Sequence, residues 1–154
     1  MKKTFDLTGK VAIVTGSTSG IGIGIARVLA RQGAQVVVTG RRVERGEAVA
    51  EEIRAEGCSA AFHKLDITDE ASVKALIEDT VREYGKLDIL VNNAASTAAE
   101  DGNVADLSSE AWDEMLNSDL RSVFLASKYA IPHMQKNGGG SIVNISSIGS
   151  LVPD

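Results

Sequence analysis

The most constraining feature of this sequence is a glycine-rich turn set between a buried strand and a helix. Val11-Ala12-Ile13-Val14 is a short apolar run rich in β-branched residues, which predicts a strand covered on both faces. Thr15-Gly16-Ser17-Thr18-Ser19-Gly20-Ile21-Gly22 follows at once, and the chain continues as a helix through Ile25 to Arg31, ending near Gly33. Glycines let the backbone bend sharply and let an anion approach with no Cβ in the way. The helix N-terminus beyond them offers unpaired N–H donors and a partial positive charge. A tight connection alone could account for the glycines, but the order strand, turn, helix favours a phosphate cradle. The spacing is Gly-x-x-x-Gly-x-Gly; the Gly-x-Gly-x-x-Gly pattern is absent, because Ile25 stands where its last glycine would be.

The same alternation continues along the chain. Val36-Val37-Val38 predicts a second strand, and Arg45 to Glu56 an amphipathic helix with Ala48, Val49 and Ile53 inward. Ala60 to His63 is a weaker third strand. Thr68 is expected to cap a helix carrying Val73, Leu76, Ile77, Val81 and Tyr84 on one stripe. Leu87 to Val91 reads as a fourth strand running into Asn92-Asn93, and a polar loop spans about Ser96 to Asp106. A long helix from about Ser109 carries Trp112, Met115, Leu116, Leu120, Phe124 and Ile131 in roughly helical register. Gly138-Gly139-Gly140 ends it, and Ser141 to Ile145 is a fifth strand. Strands alternating with helices of about a dozen residues imply right-handed crossovers and a parallel sheet with both faces covered. The expected class is α/β, a doubly wound parallel sheet of Rossmann type, truncated after the fifth strand. Residues 1–154 form a single domain, and a ligand site is expected at the carboxyl ends of the strands.

Composition narrows the function classes. The 154 residues carry a formal net charge of -5, against a nucleic-acid surface built from clustered Lys and Arg. The one cysteine, Cys58, excludes an internal disulfide and points to a reducing compartment. No apolar run reaches the ~18 residues of a spanning helix, and Met1 to Asp6 has no apolar stretch behind it, so neither a membrane span nor a signal peptide is expected. The expectation is a cytoplasmic protein. His63, His133 and Cys58 lie too far apart in sequence for a metal-site spacing and read as structural, with no metal site expected. Glu100-Asp101 reads as a solvated part of the polar loop.

With these motifs in order, the chain resembles the short-chain dehydrogenases/reductases, and among them the 3-oxoacyl-carrier-protein reductase-like members. Thr15, Gly16, Gly20 and Gly22 match the family's Thr-Gly-x-x-x-Gly-x-Gly turn. Asn92-Asn93-Ala94-Ala95 matches its Asn-Asn-Ala-Gly motif, with alanine in the last place. Asp66, in Leu65-Asp66-Ile67-Thr68, matches the aspartate that contacts the adenine ring, and Ser141 to Ser147 matches the fifth strand and its serine. The resemblance implies coenzyme contacts from Gly16, Ser17, Ser19, Gly20, Ile21 and Gly22, from Asp66 and Ile67, and from Asn93, Ala94 and Ala95.

The choice of coenzyme turns on the end of the second strand. A carboxylate there, roughly 20 residues past the glycines, would bond a ribose 2′-hydroxyl and select NAD. Gly40 holds that place, and Arg41 and Arg42 follow. A guanidinium grips a 2′-phosphate with two charge-assisted bonds, whereas a carboxylate would repel it. NADP(H) is therefore favoured over NAD(H); the alternative is that both arginines are simply solvated.

The resemblance further implies hydride transfer between the nicotinamide and a small carbonyl or alcohol substrate. A tyrosine acid/base, tuned by a lysine four residues later, moves the proton. Ser147 matches the serine that polarises the carbonyl. Two departures stand beside it. The family's relay asparagine falls at Asp119, seven residues beyond Trp112; an ionised aspartate accepts hydrogen bonds but lacks the amide donors. Asn117 lies two residues off that register. No Tyr-x-x-x-Lys occurs, since Tyr84 is followed four places on by Asp88 and Tyr129 by His133. Two readings follow. One is the coenzyme-binding part of an NADP(H)-dependent carbonyl reductase or alcohol dehydrogenase, inactive as it stands. The other is a non-catalytic dinucleotide-binding or assembly protein. A Rossmann-like methyltransferase would leave the Asn-Asn-Ala and Ser-Ser motifs as coincidences. A sheet ending at Ile142, Val143 and Ile145 exposes an apolar edge, and the long helix is left with a bare apolar face. The family resemblance implies pairing through that helix, so a homo-oligomer is expected.

Overall fold

The computed structural model describes residues 5–95, 103 and 105–147; Glu100 and Asp101, read above as solvated, lie outside them. The elements are β1 (Val11–Val14), α1 (Gly20–Arg31), β2 (Gln35–Gly40), α2 (Val43–Ala55), β3 (Ser59–Lys64), α3 (Glu70–Tyr84) and β4 (Ile89–Asn92). They continue with α4 (Ser109–Met115), a π-helical turn (Leu116–Arg121), α5 (Ser122–Lys136) and β5 (Ser141–Asn144). All strand pairs are parallel, in the order β3-β2-β1-β4-β5. The order reverses at β1, so the crevice between the carboxyl ends of β1 and β4 is the place where a doubly wound sheet accepts ligands.

The apolar runs of the inner strands are continuous because both faces are covered. Ala12, Val14, Val36 and Val38 meet Ala26 and Ala30 of α1 and Val49, Ala50 and Ile53 of α2. Ile13, Val37 and Leu90, on the other face, meet Val73, Leu76 and Ile77 of α3 and Leu125, Ala126, Ala130 and Met134 of α5. Alternate residues of a strand point to opposite faces, so neither side tolerates a polar residue. Glu70 ties α3 to α5 at the surface. Its Oε1 accepts from Tyr129 Oη at 2.7 Å and Lys128 Nζ at 3.0 Å, and its Oε2 from Arg121 Nη2 at 3.0 Å.

Three local expectations are corrected. Ala48 is exposed, and Gly46, Val49, Ala50 and Ile53 form the inner face of α2, which begins at Val43; three consecutive small residues cannot all face inward on a 3.6-residue period. Asp69, rather than Thr68, caps α3 by accepting from Ala71 N at 3.0 Å. Thr68 instead donates its N–H and hydroxyl to Asp66 Oδ1. The long helix is interrupted by the π-helical turn, where Ser122 sends its hydroxyl back to the carbonyl of Ser118 and Ser118 shares its one hydroxyl proton between Met115 O and the nearer Asp119 Oδ1. Such back-bonding competes with the helical ladder, and periodicity alone does not reveal it.

Gly46 faces Phe62 so closely that a Cβ there would overlap the ring, with Cζ at 2.6 Å. Ala in a helix interior is ordinarily better than Gly by about 1 kcal/mol. Gly46→Ala should instead destabilise the protein by ~1–3 kcal/mol, the cost of overpacking, read as a lower midpoint in urea unfolding.

Trp112, Leu120 and Phe124 are exposed along α4, the π-helical turn and α5, and Val143 and Ile145 are exposed at and beyond β5, the edge strand of the described sheet. The exposed helix face matches the expectation; at the edge Ile142 is instead half-buried against the core.

Candidate functional site

The site grows out of the ends of β1 and β4. Thr15, buried directly after β1, donates its backbone N–H to Val91 O at 2.9 Å. Its Oγ1 accepts from the N–H groups of Asn93 and Ala94, each at 3.0 Å. Asn93 answers by donating Nδ2 to Thr15 O at 2.9 Å and Gly16 O at 3.3 Å. The glycine turn and the Asn-Asn-Ala loop are therefore one rigid unit. Among the described residues of this unit no buried side-chain nitrogen or oxygen lacks a hydrogen-bond partner.

Gly16 and Gly22 make the closeness possible. Gly16 has φ +65°, which favours glycine, and a Cβ on it would lie 2.8 Å from Ala94 Cα. A Cβ on Gly22 would overlap Gly16 O and lie 2.6 Å from Asn93 Nδ2. Ser19 occupies the N-cap of α1 in extended conformation with no side-chain capping bond, and the first turn of α1 holds no acidic residue. Ser19, Gly20 and Ile21 are exposed. The helix tip thus presents N–H donors without a competing side-chain acceptor or a repelling carboxylate, the arrangement that receives a phosphate group.

Ser17 differs from the rest of the turn. It is fully buried, its N–H donates to Thr39 O at 3.0 Å, and its Oγ donates to Val14 O at 2.7 Å while accepting from Thr39 N at 2.9 Å. Its hydroxyl is committed inside the protein and staples the turn to β2.

β2 and β3 end together, Gly40 opposite Lys64, with Leu65 N donating to Gly40 O at 3.0 Å. Arg41 and Arg42 follow β2 as exposed cations, and Asp66 and Ile67 follow β3. Ile67 lines a small cleft with Thr15, Leu65 and Ala94, which brings the end of β3 next to the glycine turn. The hydroxyl and N–H of Thr68 hold the Asp66 carboxyl below the ordinary carboxylate range, helped by the Arg41 charge, so it stays ionised.

β5 continues the same end of the sheet. Asn92 donates Nδ2 to Asn144 Oδ1 at 2.8 Å, and Ile145 N donates to Asn92 O at 2.9 Å. Ser147 follows, exposed, three residues past β5. Asp119 lies exposed in the π-helical turn, its Oδ1 accepting from Ser118 Oγ at 2.6 Å. Asn117 Oδ1 accepts from Arg121 Nη1 at 3.3 Å. Burial first, then Glu83, pushes the Tyr84 phenol up to about 12. His63 bridges β3 and α3, with Nε2 3.0 Å from Asp79 Oδ2 and Nδ1 2.8 Å from Lys64 O. Among the described residues no three His, Cys, Asp or Glu side chains could hold a metal ion, and no helix is long and apolar enough to cross a membrane.

Two residues of consequence escape a sequence reading. Thr18 packs against Gly40, a contact between residues far apart in the chain with no local signature. Asp88 is buried at the start of β4; a carboxylate flanked by Leu87 and Ile89 is the one signal that could have marked it.

The profile of the short chain dehydrogenase family matches residues 10–154. A 7alpha-hydroxysteroid dehydrogenase of Clostridium sardiniense is 43% identical over 149 residues, 96% of this chain and 57% of that protein. A cis-4-hydroxycyclohexanecarboxylate dehydrogenase of Sinomonas cyclohexanicum is 43% identical over 139 residues, 90% of this chain and 55% of that protein. A crystal structure described as a short-chain dehydrogenase/reductase from Burkholderia xenovorans superposes with a TM-score of 0.89 at 38% identity, covering 95% of this chain and 59% of the other. The chain spans a little over half the length of these relatives.

Proposed function

The chain belongs to the short-chain dehydrogenase family, whose members are NAD(P)-binding oxidoreductases, and from that premise we propose that it is the coenzyme-binding part of an NADP(H)-dependent carbonyl reductase or alcohol dehydrogenase. The observation that carries the reading is the interlocked pair of loops after β1 and β4. It leaves the tip of α1 uncapped and backed by glycines a Cβ could not replace. Gly16, Ser19, Gly20, Ile21 and Gly22 would hold the pyrophosphate, and Asp66 and Ile67 the adenine. Asn93, Ala94 and Ala95 would form the floor of the crevice. Arg41 and Arg42 would grip the 2′-phosphate. The bound coenzyme supplies or accepts a hydride.

Ser147 would hold the substrate oxygen through its hydroxyl. Asp119 would anchor a water as an acceptor only. Within these 154 residues no Tyr-x-x-x-Lys supplies the proton, which supports binding without turnover by this chain alone. The substrate is a small carbonyl or alcohol compound. The acidic balance fits a protein with no nucleic-acid partner, and the cytoplasm is the expected location. A second copy of the chain would cover the exposed row of Trp112, Leu120 and Phe124.

Fluorescence titration tests the coenzyme assignment. One charge-assisted grip on the 2′-phosphate is worth ~1.5–3 kcal/mol, so NADPH should bind about 10- to 100-fold tighter than NADH, and Arg41→Ala should remove most of the difference. Equal affinity for both coenzymes in the unaltered chain would refute NADP(H) selection. Robust carbonyl reduction by this chain would refute binding without turnover.

A further inference from the structure

The end of β2 carries a second control on coenzyme choice besides the arginines. The reciprocal bonds between Ser17 and Thr39, at 2.9 and 3.0 Å, close the glycine turn onto β2. The next residue on each side, Thr18 and Gly40, is thereby pressed against the other. A Cβ on Gly40 would lie 2.7 Å from both Cγ2 and Oγ1 of Thr18. Gly40 is not among the residues with positive φ, so its backbone would accept any side chain; the obstacle is the neighbour. That neighbour has little room to yield. Thr18 is only 7% exposed, and a β-branched side chain has few rotamers to choose from. The strand cannot retreat either, since Thr39 is fully buried, its Oγ1 donates to Val14 O at 3.1 Å, and Gly40 O accepts from Leu65 N.

We propose that Thr18 is a specificity-determining residue: its side chain reserves position 40 for glycine and so bars from the end of β2 the carboxylate that would bond a ribose 2′-hydroxyl and select NAD(H). The inference rests on the NADP(H) reading above. Arg41 and Arg42 select by attraction to the 2′-phosphate, whereas Thr18 selects by excluding the competing side chain. Both routes contribute to a difference in affinities.

Two measurements on the full chain test it. The first is thermal unfolding of Gly40→Ala, Thr18→Ala and the double variant, which needs no coenzyme. Gly40→Ala should lower Tm by about 5 °C or more beside Thr18, an overpacking effect, and by less than about 2 °C in the Thr18→Ala background. An equal loss in both backgrounds, including failure to fold in both, overturns the proposal. The second is titration of Gly40→Asp and of Thr18→Gly/Gly40→Asp with NADH and NADPH. Gly40→Asp alone should weaken both coenzymes, and the double variant should bind NADH about tenfold tighter than the single one, with NADPH still weak. A single variant that binds NADH as well as the double one overturns the proposal. An unaltered chain that prefers NADH, or binds neither coenzyme, refutes the NADP(H) reading instead, and the unfolding series still decides whether Thr18 excludes a side chain at position 40.

Discussion

Gly22→Ala is expected to weaken NADPH binding by about 100-fold or more and to lower thermal stability at the same time. A Cβ at this position would overlap Gly16 O and lie 2.6 Å from Asn93 Nδ2 and 2.9 Å from Ser17 Cα. Two of these three neighbours are backbone atoms, so relief requires the turn itself to move. Moving it breaks the bonds of Asn93 to Thr15 O and Gly16 O and shifts the tip of α1. Two charge-assisted bonds to phosphate lost at ~1.5 kcal/mol each amount to about 3 kcal/mol, or about 100-fold in affinity. The sign separates this account from a generic helix effect. Alanine favours a helix over glycine by about 1 kcal/mol, so a gain in stability with binding intact would show that the close approach at Gly22 is not required. Fluorescence titration and thermal unfolding of the variant read both effects.

Asp88→Ala is expected to destabilise the protein on the order of 3 kcal/mol, and Asp88→Asn to remove part of its acid sensitivity. Asp88 is 7% exposed at the amino end of the sheet, opposite the glycine turn. Its Oδ2 accepts from Val11 N at 2.9 Å, and its own N–H donates to Val11 O at 3.0 Å. Its carbonyl accepts from Ser141 N at 2.8 Å, so one residue stitches β1, β4 and β5 together. Removing the carboxylate leaves a buried strand N–H without an acceptor and strips Lys10 and Lys86 of their anion.

Burial by itself would raise the Asp88 carboxyl. The Val11 N–H and the two ammonium groups together outweigh burial and hold it below its ordinary value of 3.8. A carboxyl depressed in the folded state contributes stability that is present above the unfolded value and lost as pH falls through the folded one. The unaltered chain should therefore lose stability below about pH 4, and the Asp88→Asn chain should lose less over the same range, with unfolding midpoints from pH 7 to pH 2 as the measure. Parallel curves for the two chains would exclude Asp88 from the acid response. Asp66, Glu70 and Asp79 are depressed too, so only the difference between the curves belongs to Asp88.

What could be read in advance was local. The run Val11 to Val14, the spacing of Gly16, Gly20 and Gly22, and the pair Asn92-Asn93 each show their place in the fold within a few residues, through a continuous apolar run, a bend or a loop at a strand end. Where the reading failed, the cause was a contact that the residue pattern does not register, distant in sequence at α2 and close by at the cap of α3 and the π-helical turn. Ala48 gave way to Gly46 on the inner face of α2 because Phe62 of β3 sits there. The bonds of the Ser17 hydroxyl to Val14 and Thr39 likewise have no signature in the turn itself. The π-helical turn around Asp119 depends on two serine hydroxyls competing for helical carbonyls, which hydrophobic periodicity does not register.

The amino-acid sequence by itself determined the alternating strands and helices, the parallel sheet and the placement of a glycine-rich turn between β1 and α1, because propensity, period and glycine spacing act over short stretches of chain. Only the tertiary structure decided that Thr18 confronts Gly40, that Asn93 locks two loops into one cradle, and that Asp88 joins three strands. Those outcomes come from side chains far apart along the chain being forced into contact by a close-packed core, where a single methyl group or carboxylate oxygen settles what its neighbour can be.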